Sequence, residues 1–178
     1  AQLVNQKFFG RTFMRSVLLF PYVGPVVALA YTWELLLDPY SGTLNNLLIN
    51  FQVIQEPLNL LGQKYLTINF FGFDLKLRLA LTTVIIFEIW RYFPLAFLFI
   101  LARLQAVPKE LYEAAEVDGA GPLQKFINIT LPQITAVISI LFMIRFIWNF
   151  NKFEDIFLLT GGASGTRTLP INVYEQGF

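Results

Sequence analysis

Three apolar stretches, each long enough to cross a bilayer and each interrupted by proline, limit what this chain can fold into. Residues 16–37 carry Glu34 as their one charge, residues 79–101 carry Glu88 and Arg91, and residues 127–148 carry Arg145 near the far end. A transmembrane helix needs about 20 mostly apolar residues, so three spans are expected. Pro21 and Pro25 interrupt the first, Pro94 the second and Pro132 the third. Breaks of this kind are tolerated in lipid where neighbouring helices or a cavity satisfy the freed backbone groups. Composition points the same way: 56% of residues are hydrophobic and 14% charged, against roughly 45–50% and 25% in soluble domains. The expected class is all-α, a polytopic transmembrane helical bundle forming one domain over residues 1–178 and incomplete at both ends. The first apolar run is too long for a signal peptide.

The net charge of +1 gives no basic surface for nucleic acid, which would have to neutralise phosphates. The absence of cysteine and histidine excludes disulfides, thiol catalysis and metal sites built on those ligands. Lysines and arginines near the span ends bear on orientation. Residues 1–15 and 102–126 share one side and hold Lys7, Arg11, Arg15, Arg103, Lys109 and Lys125; Lys64, Lys76, Arg78, Lys152 and Arg167 lie on the other. The denser group places loop 102–126 in the cytoplasm, with Lys76 and Arg78 pulling against it. In the connection 38–78, Asp38-Pro39 and Ser41-Gly42 favour turns, and Leu44, Leu47 and Leu48 suggest a short amphipathic helix at the membrane surface. Residues 160–165, Thr-Gly-Gly-Ala-Ser-Gly, read as a flexible loop. They lack the Gly-Lys-Ser/Thr ending of a phosphate-binding loop.

Loop 102–126 predicts a helix of about ten residues. Pro108 suits its first turn, where a missing N–H costs nothing, and Glu110 lies beside the positive end of the helix dipole. Gly119, then Gly121-Pro122, stop it. Leu111 and Ala115 lie four apart on one face, which Ala114 widens, while Glu113 and Glu116 offer charge to a basic partner. Spacing alone leaves two readings open, a solvated acidic surface or a docking knob.

Glu113-Ala114-Ala115, Asp118-Gly119-Ala120 and Ile129-Thr130-Leu131-Pro132 together resemble the EAA loop of binding-protein-dependent ABC importer permeases of the MetI-like superfamily. The resemblance extends over most of the chain. Phe20-Pro21-Tyr22 with Trp33, Trp90-Arg91-Tyr92-Phe93-Pro94, Trp148-Asn149-Phe150-Asn151-Lys152-Phe153 and Leu158-Leu159-Thr160-Gly161-Gly162 are similar to the carbohydrate-uptake branch, represented by maltose and glycerol-phosphate permeases. Two features depart from the pattern: a long 38–78 connection with an inserted-looking Gln55-Glu56-Pro57, and a 161–166 loop without the usual proline. The resemblance implies a multi-pass protein of the prokaryotic cell (inner) membrane that passes a sugar. Its implied partners are a cytoplasmic ATP-binding subunit dimer, a second permease subunit, an extracytoplasmic solute-binding protein and the lipid bilayer. ATP and magnesium would sit on the ATPase, with no cofactor in this chain and no catalysis by it. Docking to that subunit falls on Glu110, Glu113, Ala114, Ala115, Asp118 and Gly119.

Inside the membrane, Glu88 and Arg91 are three apart on one helix face. They form either a self-neutralised pair between helices or, with Trp90 and Tyr92, a lining for the solute. Arg145, Trp148 and Lys152 fit interfacial anchoring, whereas Asn149 suits hydrogen bonding toward the bundle interior. Carried over by the resemblance, the solute path comprises Glu88, Trp90, Arg91, Tyr92, Trp148, Asn149 and Lys152. Three rival readings stay open: an ion-gradient carrier using Glu88, a permease for a non-sugar solute, and an assembly protein that moves nothing.

Overall fold

The computed structural model describes residues 9–70 and 73–177; Lys7, counted above for orientation, lies outside them. Helix α1 (Arg11–Val23) and helix α2 (Val26–Leu37) divide the first apolar stretch. The expected single span is therefore two helices. Pro25, at φ −58° and ψ 131°, cannot donate to the ladder and disfavours helical geometry at Gly24 before it. The short helix expected around Leu44 is α3 (Thr43–Asn50). It is followed by an antiparallel hairpin, β1 (Leu66–Phe70) and β2 (Phe73–Leu77), with Leu66 opposite Leu77 and Ile68 opposite Leu75. This hairpin is an addition to the expected all-α fold.

Helix α4 (Leu79–Gln105) is the second span. After it come α5 (Lys109–Val117), a single turn α6 (Pro122–Lys125), a π turn over Phe126–Thr130 and α7 (Leu131–Phe150). The chain ends in α8 (Glu154–Thr160) and α9 (Leu169–Gly177). Among the described residues two helices are long and apolar enough to cross a membrane, Leu79–Gln105 and Pro122–Phe150. Thr12–Val23 with Val26–Leu37 makes a third if the pair is one broken span. Both long helices overrun their expected ends by several residues. The π turn has a local cause. A proline at 132 supplies no N–H and crowds the carbonyl four residues back, and the helix widens just ahead of it, with the Leu131 N–H reaching the Phe126 carbonyl.

The chain gathers into two compact units, one holding residues up to Tyr22 with Tyr92–Trp148, the other holding Val23–Arg91 with the chain from Asn149 on. In the first, Phe97 and Leu101 of α4 are buried against Leu18, Leu19 and Phe93. Residues 93, 97 and 101 recur every four and so share one helix face. In the second, Leu29 and Ala30 of α2, Val84 and Phe87 of α4, Ile156 and Leu159 of α8 and Ile171 of α9 form the core. By contrast α7 leaves Phe142, Met143, Phe146 and Ile147 exposed. A helix apolar on all faces that buries so little of itself belongs in lipid or against further protein.

The connections are ordered by specific bonds. Asp38 accepts the N–H groups of Tyr40 and Ser41 and the Ser41 hydroxyl at 2.7–3.0 Å. Those bonds, the Ser41 N–H foremost, hold its carboxyl below the ordinary range. Buried Asn45 bonds the Asp38 carbonyl and both backbone groups of Leu58, pinning the long loop. The stretch expected to be a flexible loop, 160–165, is a built turn. Thr160 and Thr166 hydroxyls meet at 2.6 Å and Ser164 donates to the Gly62 carbonyl at 2.6 Å. Gly162 adopts φ +79°, where a Cβ would also lie 2.7 Å from buried Ile171.

Candidate functional site

The helix expected in loop 102–126 is α5, nine residues long. It opens at Pro108 and carries Glu110 in its first turn. Its end is a Schellman closure: the Gly119 N–H bonds the Glu116 carbonyl at 3.0 Å and the Ala120 N–H bonds the Ala115 carbonyl at 2.8 Å. Gly119 makes this possible at φ +77°. The next helix begins two residues on, where the Gly121 N–H bonds the Gln124 side chain at 2.9 Å and Pro122 takes the first helical position.

Exposure sorts the faces of α5. Tyr112 and Ala115 are half-buried, whereas Glu110, Glu113, Ala114 and Val117 are exposed, Val117 to 89%. Spacings of three, four and seven put those four residues on one outward face. Of the expected docking residues, Glu110, Glu113 and Ala114 therefore share a surface, while Ala115 turns inward. Asp118 and Gly119 form the helix end. Val117 was missed, although its i+7 relation to Glu110 is visible in the sequence; an exposed valine between carboxylates gives a contacting partner apolar area as well as charge.

Ties hold this region together. Lys125 donates to Glu116 at 2.6 Å, and that hydrogen bond, with the lysine charge, lowers the Glu116 carboxyl below its ordinary range. Arg103, in the last turn of α4, donates to the Gln133 backbone carbonyl at 3.0 Å and to its side chain. Tyr112 and Thr130 meet through their hydroxyls at 2.9 Å.

The expected solute-path residues fall into separate settings. In the second unit Arg91 and Lys152 both donate to Asp155, and Lys152 lies 3.2 Å from Glu88. Asp155 is 1% exposed. It was not foreseen. An acidic pair, Glu154-Asp155, opening the short apolar run 156–159 marks a helix start, but its partner on α4 is visible only in the fold. Trp90 packs at 5.4 Å from Trp33 and 6.2 Å from Phe87, ring centre to ring centre, and so belongs to an aromatic core. Asn149 is exposed in the same unit. In the first unit the Arg145 guanidinium stands over the Tyr92 ring at 3.9 Å, and Tyr22 meets that ring edge-on at 6.3 Å. Trp148 is 46% exposed.

A family profile described as "Binding-protein-dependent transport system inner membrane component" matches residues 1–177. The inner membrane ABC transporter permease protein YcjO of Escherichia coli (strain K12) is 38% identical over 178 residues, covering 100% of this chain and 56% of that protein. The trehalose/maltose transport system permease protein MalF of Thermococcus litoralis is 33% identical over 182 residues, covering 99% and 57%. The chain thus spans somewhat more than half the length of these relatives. A solved bacterial alginate ABC transporter, in complex with an alginate pentasaccharide-bound periplasmic protein, superposes with a TM-score of 0.71 at 22% identity, covering 98% of this chain and 57% of that one.

Proposed function

The chain belongs to the binding-protein-dependent transport system inner membrane component family, and from that premise we propose that it is the permease core of an ATP-driven importer for a sugar. The observation that carries this reading is α5. It is a short helix joining two membrane-length helices, closed by a left-handed glycine, with Glu110, Glu113, Ala114 and Val117 turned outward. A cytoplasmic ATPase subunit docks on that face, and closure of the ATPase dimer on ATP moves α5 and switches the spans between inward- and outward-open states. Work is coupled only if the two states differ in affinity for the ATP-bound partner.

ATP and magnesium are proposed to sit on that partner subunit, an expectation that the family resemblance supplies. The sugar assignment rests on the maltose and alginate relatives, and their company supplies the remaining expectations. These are a second permease subunit, a solute-binding protein on the outer face and residence in a prokaryotic inner membrane. The test is reconstitution of the full-length protein with its ATPase and binding protein in liposomes. ATP-driven sugar uptake that disappears in Glu113→Ala supports the reading, whereas uptake that ignores ATP and follows an ion gradient overturns it.

A further inference from the structure

The hydroxyl contact between Tyr112 and Thr130 has a setting that the neighbouring ties lack. Thr130 is 1% exposed and is the last residue of the π turn. A helical threonine ordinarily satisfies its hydroxyl on the carbonyl one turn back, as Thr135 does on Leu131 at 2.7 Å. Thr130 instead meets a tyrosine eighteen residues away, at 2.9 Å. Tyr112 is the large side chain on the inward face of α5. The Glu116–Lys125 pair also joins α5 to the following helix, but Glu116 is 70% exposed, where screening and side-chain freedom weaken an ion pair. Arg103 links α4 to α7 and bypasses α5.

The mechanical consequence follows from the linkers. Gly119 and Gly121 lie between α5 and α6, and glycine gives a chain the freedom to hinge. A displaced α5 joined only through that segment would rock without moving α7. We propose that the Tyr112 hydroxyl is a positioning group which, through Thr130, carries displacement of α5 into the π turn and so into α7. Single π turns inside helices occur frequently at functional sites, and a tie at its last residue directs motion there. The inference rests on α5 being the ATPase-docking helix.

The test uses the full-length importer in liposomes, with ATP hydrolysis and sugar uptake measured in the same preparation. Tyr112→Phe and Thr130→Val remove the hydrogen bond and keep the shape. Each should leave the thermal stability of the purified permease and its retention of the ATPase subunit near those of the parent. Sugar imported per ATP should fall about five-fold, the weight of one ordinary hydrogen bond. The double variant should be no worse than either single, because both remove one interaction, and Thr130→Ser should restore coupling. Unchanged import per ATP in both single variants overturns the inference, as does a loss that tracks loss of folded protein. A parent that shows no ATP-driven uptake overturns the docking reading and this inference together, whereas a coupled parent with unaltered variants overturns this inference alone.

Discussion

Arg91 and Asp155, 64 positions apart, form an ion pair beneath the surface, their side chains 14% and 2% exposed. The pair fastens the start of α8 to the middle of α4, and Lys152 also donates to Asp155 and lies beside Glu88. Removing Asp155 takes away the carboxylate to which both cations donate. Breaking one side of a buried pair costs about 3–5 kcal/mol, so Asp155→Ala should lower the melting temperature of the detergent-solubilised protein markedly. Arg91→Leu combined with Asp155→Leu should recover part of the loss, because neither charge is then stranded. A melting temperature unchanged in Asp155→Ala would remove the pair from any account of this fold.

Trp90 and Trp148 were grouped by sequence as solute-path residues, and the structure gives them different surroundings. Trp90 is packed among Trp33, Phe87 and the core of its unit, whereas Trp148 is 46% exposed. Trp90→Ala should cost roughly 3–5 kcal/mol of stability through the cavity it leaves. Trp148→Ala should leave stability within about 1 kcal/mol of the parent. Thermal melts and sugar affinity measured on both variants separate the roles. If Trp148→Ala weakens sugar binding at unchanged stability, Trp148 belongs to the path.

Local rules made most of the helices legible. Apolar runs gave both long helices, and the sequence from Pro108 to Pro122 gave α5 because its start and stop residues act within a turn of themselves. Gly24-Pro25 was equally local, and its power to end a helix outweighs the apolar run around it. The strand pair β1–β2 was not legible because two five-residue strands pair with each other inside a connection of mixed polarity. Asp155 escaped for a different reason: its partner lies on another helix, and no periodicity links positions 91 and 155. The same limit hid Tyr112, whose significance depends on Thr130 being buried rather than on any feature of its own helix.

Glu116 offers a test by pH. Its carboxyl is held below the ordinary glutamate value by the hydrogen bond from Lys125 and by the lysine charge. A folded-state value below the unfolded one means that the pair adds stability above the unfolded value and loses that contribution as pH falls through the folded one. Carbon NMR of glutamate-labelled protein in micelles should show Glu116 titrating below the ordinary glutamate value. In Lys125→Met it should return toward that ordinary value. A Glu116 titration unmoved by Lys125→Met would mean that the bond is not formed in solution.

Gly119 separates a backbone requirement from a contact requirement. The EAA resemblance alone allows either: the glycine could be needed to let a partner approach, or to close the helix. Its φ of +77° is the left-handed conformation, and a Cβ placed there meets nothing within 4 Å among the described residues. If closure of α5 is the requirement, substitutions should rank by their tolerance of that conformation. Asparagine is the mildest, alanine costs about 1–2 kcal/mol, and β-branched valine costs more. Retention of the ATPase subunit and ATP-driven uptake should then fall in the order Gly119→Asn, Gly119→Ala, Gly119→Val. If close approach of the partner is the requirement, side-chain bulk decides instead, and alanine, the smallest of the three, should be tolerated best. The placing of asparagine relative to alanine therefore tells whether this glycine shapes α5 or leaves room for the proposed partner.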